Sequence, residues 1–218
     1  MERSRAEIPR LIFEHAFALD TAVASHAAKG VDQVRQWDQL MQWIPTAERR
    51  WSDEGEPLLT ETIRLLKRAF GRRELSVALT MSDLPSMSYP LVVNVSPMLP
   101  PAPAPPLPWA YFFTTLHHEL LHRYLNENFS DDVLRRSPLL RKYIEQGEKR
   151  MVTGHLHLLA VQLDVYSRLG RTAELEEINR SNATSKETSY RRAWEIVSRV
   201  EPEGAFVAEL LFRGPLEE

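Results

Sequence analysis

The centre of the chain reads Thr114-Thr115-Leu116-His117-His118-Glu119-Leu120-Leu121-His122-Arg123-Tyr124. His118 and His122 are four residues apart, so on a helix they share one face and their imidazoles can bind one metal ion. Glu119 is rotated from His118 by about 100° around the same helix. Its carboxylate would lie beside the ion, where it can accept a proton from water that the ion activates. The motif therefore predicts a zinc-binding helix with a general base.

The neighbouring residues predict which way this helix faces. On a helical wheel, an apolar back lies opposite the histidines and is formed by Phe112, Phe113, Leu116, Leu120 and Tyr124. The other face is more polar and carries Tyr111, Thr115, His118, His122 and Asn126. Because an apolar stripe of this kind packs against a core, we expect the histidine face to line a cleft.

Composition limits the class of protein. Of the 218 residues, 43% are hydrophobic and 26% are charged, values typical of a globular chain that forms a single domain, residues 1–218. Lys and Arg total 27 against 30 Asp and Glu, and this net charge of −3 argues against a nucleic-acid partner. The chain has no cysteine, which excludes disulfides, thiolate metal sites and a cysteine nucleophile.

The sequence shows no signal for membrane insertion or export. No stretch approaches the roughly 18 consecutive apolar residues of a transmembrane helix. Residues 1–7 lack the apolar segment of a signal peptide. We expect a soluble, cytoplasmic protein without a membrane span, with an extracytoplasmic location left open if a leader has been removed.

Three apolar stripes predict a helical N-terminal part over residues 1–70. The first stripe covers residues 8–19, and the second covers 31–44 and is ended by Pro45. The third covers residues 58–70 and stops before Gly71. Amphipathic helices that pack on a core account for all three.

Residues 71–170 change in character. Leu75–Thr80 and Leu91–Val95 are rich in β-branched and apolar residues and predict two short strands. The proline-rich stretch 97–108 predicts a stiff surface loop, with a flap over a cleft as the alternative. We expect a helix over residues 109–128.

Helices are expected over the remainder of the chain. One is predicted over residues 138–170, with a break near Gly147 or Gly154 and Ser137 as its cap. In the C-terminal part, residues 171–218, the periodicity predicts helices at 172–179 and 188–200. The fold class is therefore α+β and mostly helical.

The motif His118–His122 on an apolar helix, preceded by short strands, resembles the zincin superfamily of metallopeptidases. The resemblance implies a small β-sheet over the motif helix and an edge strand, here Leu75–Thr80 or Leu91–Val95, that binds an extended substrate. Metzincins carry Gly and His three and six residues after the second histidine, where this chain has Leu125 and Asn128. The resemblance is therefore to a gluzincin-like or uncharacterised branch.

Gluzincins take a glutamate ligand from a later helix, often within an Asn-Glu-x-x-Ser-Asp string. Residues 126–131 match this string. The string begins only four residues after His122, and Glu127 points to the opposite helix face from His118. We therefore do not assign Glu127 as a ligand.

The third ligand is expected from the following helical region. His155 lies near the apolar stripe of that region, whereas His157 lies on its polar side. Since a ligand must reach a buried site, we favour His155. The alternatives are His157, Glu148 and Glu145, of which Glu148 shares the face of His155 if the helix is continuous.

Zincins also carry a Tyr, His or Arg that stabilises the oxyanion of the tetrahedral intermediate. Tyr166 is our candidate for this role. The alternatives are His157, Tyr190 and Arg191. Metal-binding imidazoles need hydrogen-bond acceptors that orient them, and Asp164 or Thr115 could serve.

These residues predict a zinc-dependent metallopeptidase, a hydrolase that cleaves a peptide or protein substrate. One Zn²⁺ would be held by His118, His122 and His155, with Glu119 as general base and Tyr166 at the oxyanion. One alternative is a zinc-binding interaction or regulatory protein without peptidase activity. Another is a zinc hydrolase that acts on a non-peptide amide.

Overall fold

A three-stranded parallel sheet is the β part of the computed structural model, which describes residues 8–26, 33–82, 84–99, 106–129, 137–176 and 188–212. Its strands are Arg10–His15 (β1), Glu74–Thr80 (β2) and Val92–Asn94 (β3). Both pairs are parallel, and β2 lies between the other two. Helices form most of the other described elements. The predicted α+β, mostly helical fold class is confirmed.

Strand β1 corrects the prediction that residues 8–70 are helical. Its residues pair in register with Glu74 to Leu79 of β2. Phe13 points inward and its ring centroid lies 6.0 Å from that of Phe112. Over a stretch of only six residues the apolar positions fit a period of 3.6 and a period of 2 almost equally well. Pairing with β2 therefore decides the conformation.

The other elements before β2 are helical, as predicted. They are Phe17–His26 (α1), Gln33–Arg50 (α2), a π-helical turn at Trp51–Gly55 and Glu56–Leu66 (α3). Helix α2 does not end at Pro45 as expected. A proline inside a helix removes one backbone hydrogen bond, but Leu40, Ile44 and Ala47 are buried around it and hold the helix in place. Val31, in the predicted stripe, lies outside the described residues.

Helix α3 ends earlier than the apolar stripe predicts. Lys67 adopts a left-handed backbone with a φ of 56°, and its N–H donates to the Ile63 carbonyl. This is a common way of terminating a helix. The stripe continues to Phe70 because that residue is buried in the core after the helix has ended.

The proline-rich loop follows β3 and is described only at its two ends. A 3₁₀ turn at Ser96–Met98 begins it, and the Leu107 N–H donates to the Pro97 carbonyl at 3.0 Å. This bond brings the two ends of the loop together. Residues 100–105 lie outside the described part of the chain, so the flap stays a prediction.

The motif helix, α4, spans Trp109–Asn128 as predicted. Its apolar back is buried, with an exposure of at most 1% for Phe112, Phe113, Leu116, Leu120 and Tyr124. The sheet packs on the N-terminal half of this helix through the contact between Phe13 and Phe112. The opposite face is left for the histidines.

The region predicted as one helix over 138–170 consists of Pro138–Glu145 (α5), Arg150–Thr153 (α6) and Leu156–Arg168 (α7). The chain breaks near both expected glycines, since Gly147 has a φ of 81° and Gly154 follows the last residue of α6. Ser137 caps α5 as predicted, because its Oγ accepts a hydrogen bond from the Leu140 N–H at 3.0 Å.

The C-terminal part is helical as well. Residues 172–176 are helical, and Thr188–Glu195 (α8) continues into a π-helical turn at Ile196–Val200. Residues 177–179, also predicted helical, lie outside the described residues. Ala205–Phe212 (α9) was not predicted. Within the described ranges, no helix combines the length and the apolar character needed to cross a membrane.

Candidate metal centre

Helix α4 places His118 and His122 on one face, one turn apart. Their ring centroids are 4.9 Å apart, and both side chains are partly exposed. This arrangement follows directly from the spacing of four residues on a helix whose other face is held in the core. The two imidazoles can therefore supply two ligands of a metal site at the surface of α4.

His155 completes a cluster with this pair. It lies in the break between α6 and α7, and its ring centroid is 5.5 Å from that of His118 and 5.1 Å from that of His122. The ligand atoms of the three side chains all lie within 4.8 Å of one another. Modest side-chain rotations would bring them to the separation of about 3.4 Å that tetrahedral binding at 2.0–2.1 Å requires. Among the described residues, this is the one group of three or more His, Asp or Glu with such spacing.

The alternative third ligands have other partners. Nε2 of His157 lies 3.0 Å from a carboxylate oxygen of Glu209. Glu148 accepts a hydrogen bond from Arg192 at 2.8 Å. Glu145 is exposed at the end of α5. The structure thus brings His155 to the histidine pair. His157 and Glu148 contact other side chains, and Glu145 is exposed to solvent.

Glu127 lies on the far side of α4, as the sequence analysis expected. Its Oε2 accepts a hydrogen bond from the Gly71 N–H at 3.3 Å, and its Oε1 is 3.8 Å from the Arg72 guanidinium. These contacts tie α4 to the turn that precedes β2. Residues 130 and 131 of the same string lie outside the described residues.

Hydrogen bonds to Nδ1 orient two of the three imidazoles. Nδ1 of His155 lies 2.7 Å from the Met151 carbonyl oxygen, and Nδ1 of His118 lies 3.4 Å from Oε1 of Gln162. An acceptor at Nδ1 favours the tautomer that carries its proton there, so Nε2 is the nitrogen whose lone pair can bind a metal. This is the arrangement typical of metal-binding histidines.

Gln162 was not foreseen from the sequence. The proposed acceptors have other contacts, because Asp164 accepts from Arg168 at 2.8 Å and Thr115 bonds to Tyr111. Gln162 lies seven residues after His155, which is about two helical turns on the same face of α7. That spacing could have indicated that Gln162 lies near the cluster. A neutral amide, however, is not a residue type that points to a metal site.

Desolvation favours the neutral form of two imidazoles of the cluster, those of His118 and His122. Desolvation, followed by the nearby His122 and His155, lowers the pKa of His118 well below its usual value. Desolvation and His155 lower the pKa of His122 to about 4. Neutral imidazoles are the form that binds metal ions.

The pKa of Glu119 is raised, whereas the pKa values of His118 and His122 are lowered. The side chain is 8% exposed, and desolvation raises its pKa to about 7. A carboxyl group with a pKa near neutrality is suited to accept and donate a proton in the same reaction. A carboxyl group whose pKa is raised by burial, one residue after a proposed metal ligand, is a candidate for chemistry.

The structure separates the two tyrosines considered for the oxyanion. Tyr166 is fully buried, and its hydroxyl lies 2.9 Å from Oγ1 of Thr114. The ring of Tyr190 on α8 lies 5.7 Å from that of His118 and 5.9 Å from that of His155. Burial and the nearby Glu119 charge raise the pKa of Tyr190, so its hydroxyl stays protonated. Tyr190 is therefore better placed than Tyr166 to contact a substrate at the cluster.

His117, the first histidine of the run, belongs to the core. It is fully buried, and its Nε2 lies 3.0 Å from Oγ1 of Thr62 on α3. Desolvation and the Arg171 charge lower its pKa to about 3. His117 therefore helps to hold α4 against α3 and does not join the cluster.

A cavity opens beside the cluster. It has a volume of about 540 Å³, and His122 and Gly154 form part of its wall. The apolar lining residues are Leu125, Leu140, Ile144 and Leu158. The polar ones are Asn126, Glu148, Arg150, Thr153 and His157. A concave site that combines apolar walls with polar groups can hold a small ligand.

Comparison of the chain with known protein families, with curated proteins and with solved structures found no match. The function must therefore be argued from the site itself.

Proposed function

We propose that this protein is a zinc-dependent hydrolase that cleaves peptide bonds, with one Zn²⁺ held by His118, His122 and His155. The observation that carries the proposal is the convergence of three imidazoles, from α4 and from the break before α7, to within 4.8 Å. Three protein ligands with a position left open are typical of catalytic zinc sites, whereas structural sites are closed by four ligands.

The chemistry of the donor set supports zinc. All three donors are imidazoles, two of them have Nδ1 engaged by an oxygen acceptor, and the chain contains no thiolate that would favour a softer metal. When bound, zinc would act as a Lewis acid that activates water and polarises the scissile carbonyl.

The residues of the chain supply the proton transfers. Glu119 would accept the proton of the attacking water and then donate it to the leaving amine. The hydroxyl of Tyr190 would donate a hydrogen bond to the oxyanion of the tetrahedral intermediate. We assign this role to Tyr190 in place of Tyr166, because the Tyr166 hydroxyl bonds to Thr114.

The experiment has two readouts. We expect the purified protein to bind about one zinc ion per chain by elemental analysis, and to hydrolyse peptides when it is loaded. His155→Ala should lose both the metal and the activity. His157→Gln, which can still bond to Glu209, is the matched control and should keep the zinc.

Glu119→Gln separates metal binding from chemistry. It should retain zinc but lower kcat by about 100-fold or more, because it removes the general base and leaves the ligands in place. A variant that retains zinc and full activity would contradict the assignment of Glu119. A protein that binds zinc and hydrolyses no peptide or amide would support the interaction or regulatory alternative.

A further inference from the structure

The outer edge of β3 is already occupied by the chain itself. The Val92 N–H donates to the Met87 carbonyl at 2.8 Å, and the Met87 N–H donates to the Val92 carbonyl at 2.9 Å. Two residues further on, the Asn94 N–H donates to Oγ of Ser86 at 3.1 Å. The Asn94 side chain also donates to the Leu84 carbonyl at 2.8 Å. We call residues 84–90 the covering segment.

The inner edge of β3 is paired with β2. The Leu91 carbonyl accepts from the Ala78 N–H at 3.0 Å, and the Val95 N–H donates to the Thr80 carbonyl at 2.9 Å. β2 is in turn paired with β1 on its other side. Of the two segments expected to supply the edge strand, Leu75–Thr80 is therefore central, whereas Leu91–Val95 lies at an edge whose outer backbone groups at Val92 are already paired. Addition of a substrate strand needs unpaired backbone groups at an edge.

The covering segment is fixed to the motif helix beside the histidine cluster. Arg123, which follows His122, donates from Nη1 to the Ser88 carbonyl at 2.9 Å. Its guanidinium lies 4.7 Å from the centre of the Tyr89 ring. The Asn126 amide, 3.4 Å from the Tyr89 hydroxyl, also lines the cavity. The covered edge is thus the one beside the centre, and β1 lies two strand spacings, or about 10 Å, further away.

We infer that the substrate of this centre is compact, a short peptide or another amide of small-molecule size, and is not an extended polypeptide bound by strand addition. The inference rests on the proposed function and narrows its substrate. With the edge of β3 covered, we place binding in the cavity that His122 lines. Its volume of about 540 Å³ falls within the range of small-molecule sites, roughly 300–1,000 Å³. Its wall combines leucine and isoleucine side chains with polar ones, among them Glu148 and Arg150, so it can contact both apolar and polar groups next to the scissile amide.

The length dependence of binding tests this inference without turnover. The probes are blocked peptides of about two, four, eight and twelve residues, each with leucine on both sides of the central bond. They are titrated by calorimetry into the full chain carrying Glu119→Gln and loaded with zinc. Strand addition would add backbone hydrogen bonds with each pair of residues, so affinity would rise with length. We expect affinity to change by less than about fivefold beyond four residues, and a larger rise overturns the inference.

Hydrolysis by the unsubstituted protein distinguishes a failure of this inference from a failure of the proposed function. The zinc-loaded chain is incubated with the same peptides and with N-acetyl-leucine anilide, and the products are identified by mass spectrometry. Cleavage of the shortest peptides or of the anilide supports a compact substrate and shows which kind of amide is accepted. Cleavage confined to the longest peptides overturns the inference alone. No cleavage of any probe overturns the proposed function, and the inference with it.

Discussion

Gln162 and His118 are joined across the α4–α7 interface, with Oε1 of the amide 3.4 Å from Nδ1 of the imidazole. The amide is fixed from its other end, because its Nε2 donates to the Thr114 carbonyl at 3.1 Å. Gln162 is fully buried, so no water competes for either contact. The orientation of one proposed ligand therefore depends on a residue of another helix that does not itself bind metal.

Gln162→Leu tests this dependence. The change removes the acceptor at Nδ1 while keeping a similar volume, so we expect zinc affinity to fall by about 10- to 100-fold. The measurement is competition with a chromophoric zinc chelator, and circular dichroism reports on the fold. Asp164→Asn is the control, because Asp164 lies on the same helix but bonds to Arg168. Equal zinc affinities for Gln162→Leu and the unsubstituted chain would contradict the proposed role.

The centre was predictable where it depends on local geometry. The spacing of His118 and His122 fixes their relation on any helix, and an apolar back decides which face is free. The choice of His155 over His157 came from the same argument applied to a second helix. The break at Gly154 keeps His155 at the start of α7, where its imidazole reaches the pair.

The features that were missed or placed second depend on contacts between distant parts of the chain. Tyr190 was only an alternative to Tyr166, because no periodicity within α8 reveals that its ring lies beside His118. β1 could be predicted only together with its partner β2, because its six residues fit a helix as well. The covering of β3 rests on one bridge between Met87 and Val92 and on two hydrogen bonds of Asn94, which leave no pattern in the sequence. Such contacts are fixed by packing and pairing rather than by local propensity.

Tyr190→Phe and Tyr166→Phe distinguish the two candidates for the oxyanion. Loss of the Tyr190 hydroxyl should lower kcat by about 100-fold with little change in KM, because its hydrogen bond would form mainly in the transition state. Loss of the Tyr166 hydroxyl should leave kcat nearly unchanged. It should lower the free energy of unfolding by about 1 kcal/mol, because Thr114 would lose its buried partner.

Steady-state kinetics measures kcat and KM of both variants, and urea unfolding measures their free energies of unfolding. Each substitution removes one tyrosine hydroxyl, so each variant serves as the control for the other. A loss of kcat in Tyr166→Phe with normal turnover in Tyr190→Phe would restore the assignment made from the sequence.

The acid stability of the protein should depend on Glu209 of α9. Burial alone would raise the pKa of this carboxyl, but hydrogen bonds from His157, the Leu139 N–H and Ser137 outweigh it and lower the pKa to about 2. A carboxyl whose pKa is lower in the folded than in the unfolded state stabilises the fold above its unfolded pKa, near 4.5. This contribution is lost as the pH falls from there through about 2.

Glu209→Gln should therefore be less stable than the parent at pH 7, by about 1 kcal/mol after allowance for solvent screening of a carboxylate that is 14% exposed. The difference should shrink as the pH is lowered from 4.5 towards 2. Urea unfolding followed by circular dichroism at several pH values measures it. Glu203→Gln, at an exposed position just before α9, is the control and should follow the parent curve. If Glu209→Gln and the parent lost stability in parallel over this range, the carboxylate would not be held by His157 and Ser137 in solution, and the junction of α5, α7 and α9 would need another explanation.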